Sequence, residues 1–197
     1  MSPSTPEYWQ KVYDDEPRPG WDMDGPSPVL EELLDAAASQ SIFLSGEIAV
    51  PGCGFGHDAA ELAQRGFRVT AFDFASNAIE GAKARYGDVV NWRLEDWFTT
   101  KEGPFDLIFD HTCFVAMEPV RRGEYLDVCA TRLKPSGIWL AVLFDDTNGR
   151  PGPPFQIEME DARSLAAARF EVLHLSRATQ SHPRRAGREF LVVGRKK

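Results

Sequence analysis

The chain has 197 residues, enough for one α/β domain with a full core and too few for two large ones. Its composition, 43% hydrophobic and 26% charged, is ordinary for a globular domain, and no apolar run is long enough to cross a membrane. The net charge of −8 argues against general affinity for nucleic acid, whose binders carry a basic face.

Residues 1–25 are rich in Pro, Asp and aromatics without a sustained period, and read as an arm or lid with one helical turn around Tyr8–Tyr13. The N-terminus lacks the basic and apolar regions of a signal peptide, so a cytoplasmic location is expected. Residues 26–197 read as a single domain. It begins with Ser27 as a helix cap, Pro28 at the first helical position, and an apolar stripe of Val29, Leu30, Leu33, Leu34 and Ala37. Strand and helix then alternate. Strands are expected at 48–50, 67–73, 89–94, 105–110 and 138–144, and helices at 57–65, 76–86 and 120–133. Ser76 serves as a cap, Gly66 and Gly87 as stops, and Lys134-Pro135-Ser136-Gly137 as a turn. A helix at 160–168 and two strands at 170–175 and 190–193, able to pair antiparallel, close the chain. This alternation predicts an α/β fold with a mostly parallel sheet, a final antiparallel strand and helices on both faces. Ligands bind such sheets beyond the carboxyl ends of the strands.

The stretch Pro51-Gly52-Cys53-Gly54-Phe55-Gly56-His57 lies at the end of the first strand. Its glycines let a ligand lie against the backbone, and the helix after it offers free N–H groups. A dinucleotide site would need G-x-G-x-x-G. Here the spacing is G-x-G-x-G, with His57 where the third glycine would stand. Asp73 ends the second strand, where a carboxylate can accept hydrogen bonds from both ribose hydroxyls. Glu95 and Asp96 follow the third strand, where a carboxylate can meet an adenine amino group. Together these features favour S-adenosylmethionine over NAD. Cys53, Cys113 and Cys129 are odd in number and lack CxxC spacing, so neither a disulfide framework nor a metal site is expected. The C-terminal arginines, among them Arg177, Arg184, Arg185, Arg188 and Arg195, read either as a solvated basic tail or as an anion-attracting rim of the site.

On these residues the sequence resembles the thiopurine S-methyltransferase superfamily, and its halide/thiol branch more than the thiopurine enzyme. The carriers are Trp21-Asp22-Met23-Asp24-Gly25-Pro26-Ser27-Pro28, the Pro51–Ala59 stretch, Phe105–Thr112, and Pro151-Gly152-Pro153-Pro154-Phe155. The resemblance covers nearly the whole chain. It implies a Rossmann-like class I methyltransferase sandwich with a lid, acting as a monomer on a small-molecule substrate. It also implies that Trp9, Tyr13 and Trp21 wrap the cofactor, that Gly52 passes its backbone by the methionine part, that Gly54 also binds the cofactor, and that Asp73 holds the ribose. Glu95 and Asp96 would flank the adenine, and His111 would sit beside the transferred methyl. Tyr13 is often tryptophan in the family, and His111 stands where the thiopurine enzyme has arginine and halide/thiol relatives have tyrosine.

The expected reaction is in-line methyl transfer to a thiol, halide, thiocyanate or related soft nucleophile, in a site that excludes water. His111, with an ordinary pKa of about 6.5, is the candidate base for a thiol acceptor. Trp21, Phe114 and Phe155 are expected to line the acceptor pocket, with Arg121, Arg122 or Arg150 at its rim. Methylation of a thiopurine or a selenium or tellurium compound, a non-catalytic S-adenosylmethionine sensor, and an NAD oxidoreductase stay open as alternatives.

Overall fold

In the computed structural model, which describes residues 2–16 and 18–197, a seven-stranded sheet forms the frame. Its strands are β1 (Glu47–Pro51), β2 (Arg68–Asp73), β3 (Asn91–Leu94), β4 (Phe105–His111), β5 (Leu133–Phe144), β6 (Phe170–Arg177) and β7 (Glu189–Lys196). The order is β3-β2-β1-β4-β5-β7-β6. β7 enters antiparallel between β5 and β6, and the pairs among β1 to β5 are parallel. The expected mostly parallel sheet with a closing antiparallel strand is therefore what forms. Chain order reverses between β1 and β4, and that is where the carboxyl ends open a crevice for a ligand.

Alternation along the strands feeds two cores. Ile48 and Val50 of β1 and Ile138, Leu140 and Val142 of β5 pack with α2 (Val29–Ser39), α3 (His57–Gln64) and α4 (Ser76–Tyr86). Ala49 and Trp139, Ala141 and Leu143 pack on the other face with α6 (Arg122–Arg132) and α7 (Met159–Ala166). Each fully buried Leu or Phe in these layers contributes about 2 kcal/mol. The same alternation decides the site. On β4, His111 shares a face with Leu107 and Phe109 and looks toward α3, while Asp110 shares the face of Ile108 and looks toward α6.

Several local expectations need correction. The arm holds a ten-residue helix, α1 (Pro6–Asp15), rather than one turn. Residues 1 and 17, inside the expected arm, lie outside the described residues. Ser27 does not cap α2: its amide donates to Asp58 Oδ1 at 2.7 Å, and Pro28 takes the capping position. Ser76 is the first residue of α4 and not its cap, because Ala75 takes that place and Gln10 of the arm satisfies the Ser76 amide. The expected turn at Lys134–Gly137 is absorbed into β5 as an irregularity, with Ser136 at φ +60° and a register shift opposite Phe105 and Leu107. A short helix α5 (Cys113–Ala116) and a 3-10 turn (Pro119–Arg121) precede α6, so the helix expected from residue 120 begins slightly later. Among the described residues no helix is long and apolar enough to cross a membrane.

Candidate active site

The carboxyl end of β1 runs into Gly52, Gly54 and Gly56, each at positive φ. At Gly52 a Cβ would fall 2.8 Å from Cys113 Sγ, and at Gly54 it would fall 3.2 Å from Tyr13 Oη. The bare backbone thus lets α5 close on one side of the turn and the arm close over the other. Asp73, 9% exposed at the end of β2, braces this turn. Its Oδ2 accepts from Gly54 N and its Oδ1 from Ala75 N, both at 3.0 Å. Burial raises its pKa, and the Ala75, Gly54 and Phe74 amides oppose the rise by favouring the carboxylate. Each oxygen keeps further lone-pair capacity, which suits a pair of ribose hydroxyls.

The arm crosses this end of the sheet and is tied down at three points. Ser2 and Ser4 hydroxyls donate to Glu118 Oε2, beyond α5. Gln10 and Asp14 bond Ser76 and Asn77 at the start of α4. Arg184 Nη2 and Arg185 Nη2, from the loop between β6 and β7, donate to the carbonyls of Gly20 and Trp21 at 2.7 and 2.8 Å. Between these points lies an aromatic stack. Trp9 meets Trp21 edge-on at 5.5 Å, Tyr13 meets Trp21 at 5.8 Å, and Tyr13 meets Phe55 at 5.3 Å. Tyr13 is buried, while Trp21 stays 38% exposed. The structure therefore gathers Trp9, Tyr13, Trp21, Gly52, Gly54 and Asp73 at one end of the sheet.

His111 ends β4 with both ring nitrogens engaged. Nδ1 is 2.6 Å from Asp58 Oδ2, and Nε2 is 2.8 Å from Arg185 Nη1. Arg185 also donates to Glu189 Oε1 at 3.3 Å, and that oxygen lies 3.8 Å from His111 Nε2. Burial alone would lower the His111 pKa, but the Asp58 and Glu189 carboxylates outweigh it and raise it to about 9, against the opposing charge of Arg185. Asp58, Arg185 and Glu189 were not legible as site residues one by one. Asp58 followed the glycine turn and Arg185 sat within the C-terminal basic cluster, but nothing in sequence spacing joins α3 to β7.

The remaining expected residues are distributed differently. Asp96 accepts from Phe98 N through Oδ1 at 2.9 Å. Glu95 is engaged at both oxygens: Arg93 pairs with its Oε1 at 2.7 Å and Thr100 donates to its Oε2 at 2.6 Å. Phe114 is 1% exposed, packed against Tyr125 and Trp139, and serves the core rather than a pocket wall. Phe155 is half-buried and held by its amide to Val115 O and by Arg122 to its carbonyl. Arg122 is consequently a buried strut and not a rim residue. Arg121 lies over the Phe98 ring at 3.9 Å and pairs with Glu124, while Arg150 is exposed in the loop beyond β5. Of the C-terminal arginines, Arg185 enters the site, Arg184 reaches Gly20, and Arg177 and Arg195 pair with Asp145 and Glu171. A wide groove of about 810 Å³, lined by Glu47, Arg68, Asn91 and Phe105 among others, lies at the amino ends of β1 to β4, away from this chemistry.

Comparison with known proteins finds similar sequences and folds. The family model for thiopurine S-methyltransferase (TPMT) matches residues 4–193. Thiocyanate methyltransferase 1 of Brassica oleracea is 31% identical over 190 residues, covering 93% of this chain and 82% of that protein. A thiopurine S-methyltransferase of Aliivibrio salmonicida is 30% identical over 200 residues, covering 90% and 91%. Among solved structures, 1,6-didemethyltoxoflavin-N1-methyltransferase of Burkholderia thailandensis shares the fold with a TM-score of 0.72 at 22% identity, covering 98% of this chain and 88% of that one.

Proposed function

The chain belongs to the thiopurine S-methyltransferase family and is an S-adenosylmethionine-dependent methyltransferase; we propose that its acceptor is a small soft nucleophile, a thiol, a halide or thiocyanate. The observation that carries the cofactor half of this reading is the Asp73 carboxylate braced by Gly54 N and Ala75 N beneath the aromatic arm, and the names of the relatives support the acceptor half. A nucleoside-bearing sulfonium fits these residues. Two glycines keep the turn bare, the buried carboxylate has capacity for the ribose, and the Trp9, Tyr13 and Trp21 rings offer faces to a cation. We assign the adenine amino group to Asp96 alone, since Glu95 is engaged by Arg93 and Thr100.

When bound, S-adenosylmethionine supplies a methyl group on a sulfonium leaving group. The chain's part is to orient and to exclude water. The arm, fastened on three sides, closes the crevice so that an acceptor loses its hydration, which makes a thiolate or halide a stronger nucleophile. Trp21 and Phe155 border the acceptor, and His111 is the base where the acceptor carries a proton. A halide or thiocyanate needs none. The same reading has the protein acting as a cytoplasmic monomer on small molecules, with no nucleic-acid or membrane partner. Relatives named for thiocyanate and for thiopurine support the soft-nucleophile class without choosing within it.

The test is incubation with methyl-labelled S-adenosylmethionine and a panel of iodide, thiocyanate, hydrosulfide, an aromatic thiol, a thiopurine and tellurite, with volatile and non-volatile products both counted. Label is expected on iodide, thiocyanate or a thiol. Tight binding of S-adenosylmethionine with transfer to no acceptor would make the protein a sensor and overturn the acceptor reading.

A further inference from the structure

Four charged or titratable groups from four parts of the chain meet at the carboxyl end of β4. Asp58 comes from α3, His111 from β4, Arg185 from the loop between β6 and β7, and Glu189 from the start of β7. Asp58 is fixed twice, by Ser27 N on Oδ1 at 2.7 Å and by His111 Nδ1 on Oδ2 at 2.6 Å. A carboxylate at that distance fixes the proton on Nδ1. Arg185 can only donate, so at 2.8 Å it requires a lone pair on Nε2. These contacts are those of the neutral imidazole, with Nδ1–H turned to Asp58 and its lone pair aimed toward Arg185, the form that prevails above the His111 pKa of about 9.

In that state the cluster is one positive charge short. Asp58 and Glu189 are anionic and Arg185 alone is cationic. Glu189 is fully buried, and its Oε2 has no hydrogen-bond partner among the described residues. Buried carboxylates in deficit of charge favour the arrival of a proton. The position for it is Nε2 once Arg185 withdraws, with Glu189 Oε1 3.8 Å away. Asp110, one residue back on β4, faces the opposite side of the sheet and completes the charges near the ring. Arg185 in turn is held over this spot by the Trp21 carbonyl at 2.8 Å, so the arm that closes the site also places the guanidinium.

We propose that this cluster is a thiol-activating unit, in which Asp58 is a positioning residue acting through His111 and Arg185 receives the anion that proton transfer creates. This rests on the methyltransferase reading above and adds which acceptors depend on the cluster. The thiol S–H bond breaks with its electron pair left on sulfur, and the proton passes to His111 Nε2. Arg185 then leaves Nε2 and pairs with the thiolate, and total charge is unchanged. The raised basicity of His111, at about 9, lies close to the value of about 8.5 for a free thiol, so the proton moves at little free-energy cost. Iodide and thiocyanate carry no proton and bypass the step.

The experiment uses the full chain with Asp58→Asn, Asp58→Glu and Glu189→Gln. Without cofactor, nitrogen-15 NMR of labelled histidines reads the His111 ring, assigned by its loss in His111→Gln. Asp58→Asn keeps an oxygen for Ser27 N but removes the charge, so the His111 titration should fall by a pH unit or more. Glu189→Gln should lower it less. With S-adenosylmethionine, kcat/KM is compared for 2-mercaptoethanol and for iodide. In Asp58→Asn the thiol-to-iodide ratio should drop at least tenfold, and the acid limb of the thiol profile should move to lower pH. Asp58→Glu should recover part of the ratio. An unmoved His111 titration in both carboxylate variants, or equal losses on both acceptors, would overturn the proposal and leave Asp58 a structural residue. Wild-type protein that methylates neither acceptor would instead overturn the acceptor reading on which the proposal rests.

Discussion

Gln10 Oε1 accepts two hydrogen bonds from Ser76, from its amide at 2.9 Å and from its hydroxyl at 3.1 Å. The first turn of α4 has exposed N–H groups, and its capping residue, Ala75, has no side chain able to serve them. A residue of the arm does so across a separation of 66 positions. The arm is thus part of the capping of a core helix as well as a segment that crosses the carboxyl end of the sheet.

Gln10→Ala should release the arm while leaving the sheet domain folded. The loss of a cap costs about 1 kcal/mol. Proteolysis within residues 1–25 should quicken, and the Kd for S-adenosylmethionine should rise several-fold. If both stay at wild-type values, the remaining ties, through Ser2, Ser4, Asp14, Arg184 and Arg185, hold the arm without Gln10.

Asp73→Ala should weaken S-adenosylmethionine binding by tenfold or more in calorimetry, about 1.4 kcal/mol or above. It removes the carboxylate and strands the Gly54 and Ala75 amides. Gly54→Ala should act more mildly and by another route. At φ +54° an added Cβ costs about 1–2 kcal/mol of strain, and it would press on Tyr13 Oη. Unchanged affinity in Asp73→Ala would refute the ribose assignment.

Asp110→Asn tests the opposite face of β4. Asp110 is fully buried, its Oδ2 has no partner among the described residues, and burial raises its pKa to about 6 despite the Phe114 amide. The folded pKa lies above the unfolded value of about 3.9. The stabilising contribution of the protonated acid is therefore complete below about pH 4 and is lost as pH rises through 6. The variant should gain stability over wild type across that window, by at most about 3 kcal/mol. Urea unfolding at pH 4 and pH 8 measures it, and a stability difference that does not change between the two would contradict the buried charge.

Much of the frame was legible because it rests on local pattern. Strand and helix periods, the stops at Gly66 and Gly87, and the bare turn at Gly52 and Gly54 follow from residue type and spacing alone. Asp73 at a strand end next to a glycine turn was legible for the same reason. Capping was misread at Ser27 and Ser76, where a distant partner, Asp58 or Gln10, overrode the local preference. The surroundings of Phe114 and Glu95 were not legible, because polarity and size do not say which way a side chain faces. Core packing takes the first, and Arg93 with Thr100 takes the second.

The sequence by itself determined the fold class, the glycine turn and the family, since these depend on contiguous motifs and on alternation that repeats along each strand. Only the tertiary structure decided what surrounds His111. Insertion of β7 beside β5 carries Glu189 and the Arg185 loop back to the end of β4, while α3 presents Asp58 from the same face. Long-range strand order brings those groups within hydrogen-bond distance, and no spacing along the chain encodes it.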